Sequence, residues 1–146
     1  LLKTDTFTTT STSLVDITGF TLDITPSAAT SKILVLSTLN GSQGVDANRA
    51  YVRLMRDSTA IFIGDAAGSR YRVSGSFSAD HESIASPSIG STFLDSPNTT
   101  SAVTYKWQIV LAAGSGTVYF NRTHQDNDEA GQGRWASTIT LMEIGA

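Results

Sequence analysis

Chemistry in this chain would have to come from two histidines, thirteen acids and a large stock of hydroxyls, because there is no cysteine. His81 sits in Ser-Ala-Asp-His-Glu-Ser, residues 78–83. A serine, a histidine and an acid can be drawn together there, but no nucleophile elbow and no fixed orienting acid stand nearby. His81 is therefore read as a solvated loop histidine. The segment 64–69, Gly-Asp-Ala-Ala-Gly-Ser, lacks the lysine and the following helix of a phosphate cradle.

The densest polar constellation is residues 123–134, Thr-His-Gln-Asp-Asn-Asp-Glu-Ala-Gly-Gln-Gly-Arg. Its acids and amides are hard oxygen ligands, but the spacing of a calcium loop and its distant glutamate are missing, so no metal is expected. The segment is longer than a hairpin needs and rich in groups that pair with sugar hydroxyls. His124, Gln125, Asp126, Asn127, Asp128 and Glu129 are therefore the candidate ligand contacts. Cutting a glycan would need two acids set apart across a cleft. Asp65, Asp80, Glu82 and Asp95 are all read as turn residues, and the chain is read as non-enzymatic, with no cofactor.

Composition narrows the partners. The net charge is −3 and the few basic residues are scattered, so the counterion-releasing stripe that nucleic acid requires is missing. The longest apolar runs are pieces such as Ile33 to Leu36, far short of the roughly 20 residues of a membrane helix, and no membrane insertion is expected. Charged residues make up 16% of the chain, while Ser and Thr exceed a quarter of it, so the surface is polar but mostly neutral. The 146 residues suffice for one domain with its own core, expected over 1–146 and read as a piece of a longer protein.

The elements that must position these groups are strands. Val103, Tyr105, Trp107, Ile109 and Leu111 alternate with polar residues at period 2. The same period predicts strands near 5–10, 14–25, 32–39, 50–56, 60–63, 70–77, 92–95, 118–120 and 135–144. Turn chemistry at 25–30, Asn40-Gly41-Ser42-Gln43-Gly44, 56–59, 95–101 and 113–116 separates them. Between Val15 and Ile24 the apolar phase switches at Gly19, which predicts a bulge there. About ten strands without a helix indicate an all-β jelly-roll β-sandwich.

Some strands have more to bury than one face. Ile33 to Leu36 is apolar on both sides, and Tyr51 to Met55 partly so, which calls either for a covering loop or for a second copy of the chain. Leu34, Leu36, Tyr51, Arg53 and Met55 are the candidate oligomer contacts. Tyr105 and Trp107 are candidates too, with the chain's own core as their more frequent fate.

Residues 4–36, the run Val-Arg-Leu-Met-Arg-Asp-Ser-Thr-Ala-Ile-Phe-Ile-Gly-Asp-Ala-Ala-Gly-Ser-Arg at 52–70, the run from Phe-Leu-Asp-Ser-Pro-Asn-Thr-Thr-Ser through the long strand to Val110 at 93–110 and the closing Ser-Thr-Ile-Thr-Leu-Met-Glu-Ile resemble segments of C-terminal domains of bacteriophage virion proteins. The resemblance is to tail fibres of marine phages in particular, and it spans nearly the whole chain. It implies a trimeric, TNF-like jelly roll similar to tumour-necrosis-factor and complement heads, forming the tip of a longer fibre. It further implies a virion location, other fibre proteins as neighbours, and a bacterial surface receptor, glycan or outer-membrane component, met through loops. The alternative it leaves is a trimerising cap or capsid decoration without a ligand. Residues 40–48, 78–90 and 122–133 are the expected variable loops.

Overall fold

The computed structural model describes residues 1–44, 49–77, 86–113 and 115–145. In chain order the strands are β1 (Leu2–Lys3), β2 (Phe7–Thr9), β3 (Val15–Ile24), β4 (Lys32–Gln43), β5 (Arg49–Arg56), β6 (Thr59–Ile61), β7 (Gly75–Phe77), β8 (Ser88–Asp95), β9 (Val103–Ala113), β10 (Val118–Phe120) and β11 (Ser137–Ile144). Among the described residues there is no helix. The strands form two antiparallel sheets, of six and five strands, laid face to face as a sandwich.

In the six-stranded sheet β4 is the spine. One edge pairs with β8, from Ile33 opposite Asp95 to Asn40 opposite Ser88. Along the other edge β11 and then β10 follow one another, with Ile144 opposite Lys32 and Val118 opposite Gln43. β1 and β2 flank β11 and β10 in turn. Residues 121–136 are thus an excursion from a single strand line, leaving after β10 and rejoining at β11. In the five-stranded sheet β9 lies between β3 and β5, and β6 and β7 share the far edge of β5.

The period-2 faces meet between the sheets. Ile33, Val35, Leu39 and Ile139 come from one side, and Ile17, Phe20, Val52, Leu54, Tyr105, Trp107 and Ile109 from the other, all at most 1% exposed. Two polar bonds cross this apolar layer: Trp107 Nε1 donates to Ser37 Oγ at 3.1 Å, and Tyr105 Oη donates to Asp95 Oδ2 at 2.6 Å. Each satisfies a polar tip that would otherwise lie unpaired in the core.

Three local expectations meet the structure differently. The bulge stands: the β3–β9 register shifts between Asp16 and Thr21, and Gly19 has φ +74°, the left-handed conformation that glycine adopts without strain. The turn expected at Asn40-Gly41-Ser42-Gln43 is instead the second half of β4. Its glycine is there for closeness, since a Cβ at Gly41 would lie 2.7 Å from the buried Phe77 ring. The strand expected over 70–77 shortens to β7, and residues 70–74 form irregular chain bonded to β5 through Ser74 N to Val52 O and Leu54 N to Ser74 Oγ.

Candidate functional site

The excursion 121–136 is built from its base. Asn121 is fully buried at φ +61°, a conformation asparagine tolerates better than most residues. Its amide Nδ2 donates to Lys3 O and Asp5 O, its Oδ1 accepts from Ser137 Oγ, its backbone N–H reaches Asn40 O, and its carbonyl accepts from Trp135 N. Asn40 closes the other side, donating from Nδ2 to Ala136 O and accepting from Ser88 Oγ. Five hydrogen bonds converge on one buried asparagine, so the loop leaves the sheet from a fixed point.

Above the base the loop bonds to itself. Asp126 accepts from Arg134 Nη2 at 2.6 Å and lies 3.4 Å from Arg122 Nη1. The Arg134 bond, reinforced by the charge of Arg122, holds the Asp126 carboxyl below its usual range. Gln132 accepts from Thr123 Oγ1 and Asn127 N and donates to Gln125 Oε1. The His124 ring lies 5.4 Å from that of Tyr119, with the Arg122 guanidinium 4.7 Å over the same tyrosine.

Of the six expected ligand contacts, Asp126, Gln125 and His124 are therefore engaged within the chain. Asn127, Asp128 and Glu129 remain exposed at the tip. No group of three metal-ligating side chains occurs among the described residues. His81, with Asp80 and Glu82, lies outside the described residues.

The expected oligomer contacts separate into three environments. Tyr105 and Trp107 are both 0% exposed in the chain's own core and offer nothing to a second copy. As contact residues they are corrected to core residues: their parity on β9 turns them inward, with Ser37 and Asp95 meeting their polar tips. Tyr51, Arg53 and Met55 lie on the outer side of the five-stranded sheet, where residues 62–74 pass close by. Tyr71 from that segment meets the Tyr51 ring at 5.9 Å and donates to Thr12 O. Met55 is only 5% exposed and Val110 wholly buried on this side, so both are covered within the chain itself. Arg53 donates to Gln108, which donates to Asp16, and Lys106 joins the same carboxylate at 2.7 Å.

Leu34 and Leu36 are different. On the outer face of the six-stranded sheet Leu34 stands between Leu94 and Met142, and Leu36 between Thr92 and Thr140. Thr38 stands between Gly90 and Thr138, and Leu2 extends that row. Leu94, Met142, Ile144 and Leu2 are 46%, 48%, 41% and 61% exposed, four of the seven large exposed hydrophobics among the described residues. The three rows contain no charge. Period 2 found Leu34 and Leu36, but not Leu94 and Met142, because β8 and β11 read as ordinary one-sided strands until their register on β4 is known.

A second concavity lies on the five-stranded sheet at the Arg49 end of β5. Arg49, Arg70, Tyr51, Tyr71, Ser69 and Ser76 line it. The sequence carried no signal for it, since its residues come from three separate stretches. No family model matches the chain, and no curated protein matches it either.

Proposed function

We propose that the chain is the jelly-roll tip of a bacteriophage fibre, a homotrimer of the TNF-like kind that engages a glycan or other component of the bacterial surface. The observation that carries the reading is the outer face of β4, β8 and β11, where the rows through Leu34, Leu36 and Thr38 carry no charge and Lys32 stands only at the end, opposite Ile144. Three strands paired over about eight residues present roughly 350 Å² of sheet there, of which Leu94, Leu34, Met142 and Leu36 are the apolar part, within the size range of the largest patch on an ordinary monomer, which is often functional. Rows without charge can be buried against a second copy without desolvating an unpaired ion. The sequence resemblance to phage fibre domains supplies the setting.

Recognition would fall to the surface facing away from that contact and to the excursion tip at Asn127, Asp128 and Glu129. Anchoring at Asn121 and bracing by Asp126 mean that little chain entropy is lost when the tip binds. Three weak sites on one head act together through avidity.

The self-bonding of the loop also favours a rival reading, a cap or capsid decoration without any ligand. Glycan-array binding by the trimer, set beside the Asn127→Ala, Asp128→Ala, Glu129→Ala triple variant, separates them. Array binding lost in the variant supports recognition through the tip. Unchanged binding removes the tip, and absence of binding to every glycan and to whole bacteria leaves the cap.

A further inference from the structure

We infer that the concavity beside β5 is a binding site for an anionic saccharide unit. Its walls supply the three contacts such a ligand needs. Two guanidinium groups, Arg49 and Arg70, border it, both exposed, and among the described residues neither is paired with a carboxylate. Arginine presents a planar fork that fits carboxylate or phosphate oxygens in pairs.

Two tyrosines form the apolar part. The Tyr51 and Tyr71 rings meet at 5.9 Å and 63°, an edge-to-face pair. Tyr71 is fixed at its far end by the bond from Oη to Thr12 O, yet 42% of it is exposed. An anchored ring that still faces solvent is suited to the C–H face of a pyranose and loses little freedom on binding it. Hydroxyls of Ser69 and Ser76 complete the lining beside exposed Ala113.

The chain is acidic overall, with a net charge of −3, so two arginines that meet no carboxylate among the described residues stand out beside the aromatic rings. Two cations are too few for a nucleic-acid track but match one negative charge on one sugar residue. The site belongs to the five-stranded sheet, whereas the proposed contact between copies uses the six-stranded one. It therefore stays open in a trimer, repeated around the head. It is a property of one chain and does not depend on the fibre reading.

The test is a heteronuclear NMR titration of the whole chain with tri-galacturonate, galactose 1-phosphate and neutral tri-galactose as probes. Binding of an anionic probe with shifts confined to residues 49–51, 69–76 and 112–113 is expected, weakening about threefold or more as salt is raised from low to physiological strength. The carboxylate and phosphate arms identify which anion fits. Arg70→Gln should weaken binding about tenfold, on the scale of one charge-assisted pair, and Tyr71→Ala should weaken it further. Arg49→Gln, on β5 and not on the 69–76 segment, guards against a folding defect in either variant. Equal binding of the neutral probe, unchanged binding in both arginine variants, or no shifts in the concavity with any probe would overturn the assignment. None of these results bears on adsorption to bacteria or on the oligomeric state.

Discussion

Tyr105 Oη lies 2.6 Å from Asp95 Oδ2, and the bond joins the two sheets at the end of the sandwich. The same carboxylate receives Arg56 Nη1 at 3.0 and 2.8 Å. Tyr105→Phe keeps the ring and removes one buried bond to a charged acceptor, so a loss of about 1–2 kcal/mol is expected in urea unfolding. Asp95→Ala strands both donors and should cost more, about 2–4 kcal/mol.

The same pair sets an alkaline limit. Burial first, and then the bond to Asp95, push the Tyr105 phenol well above its ordinary value. A group with a raised folded value contributes its stability below the unfolded value, about 10, and loses it as pH rises beyond that. Stability should therefore fall above about pH 10, with Tyr105 adding no phenolate absorbance at 295 nm until unfolding. Tyr105→Phe should flatten the decline. Phenolate absorbance from Tyr105 in the folded protein would contradict the placement of its hydroxyl.

Gly41→Ala drives a Cβ to within 2.7 Å of a ring that is itself fully buried. The ring cannot swing away, so the substitution should destabilise by about 1–3 kcal/mol. Gly90→Ala on the neighbouring strand meets no atom within 4 Å and serves as the control. Equal effects at the two positions would contradict the close approach.

Asp126 makes the excursion sensitive to acid. Its carboxyl is held low chiefly by Arg134, so the bracing is complete above the ordinary value of about 3.9 and is lost as pH falls through the depressed folded value. Amide exchange in residues 123–133 should accelerate in that window before the core amides do. Asp126→Asn should show the faster exchange already at neutral pH, while β4 and β9 keep their protection. A side-chain carbon titration of Asp126 at the ordinary value would sink this account of the loop.

How much of this could be read from residues alone follows from the range of each interaction. Period 2 located β3, β5, β9 and β10 to within a residue or so, because one side of each packs into the core. It ended β4 too early at Asn40-Gly41, whose local signal is a turn, since the reason for that glycine is a ring 36 positions away in the chain. Trp135 was expected inside the last strand; it lies before β11, half-buried, its ring against Gly133. The acids of the excursion were legible as a cluster, but their partners Arg122 and Arg134 were not, because the pairing depends on how the loop closes. The row Leu94, Leu34, Met142 exists only through strand register, which no single stretch encodes.

That row also sets the most direct measurement. Sedimentation equilibrium of the chain at micromolar concentration should give one species of three times the 15.4 kDa chain mass. Leu34→Glu with Met142→Glu, both on the outer face, should return it to monomer without loss of the core's near-ultraviolet signal. A native chain that sediments as a monomer across that range, or a double variant that stays trimeric, would contradict the claim that copies of this protein meet through the Leu94, Leu34 and Met142 face of β4, β8 and β11.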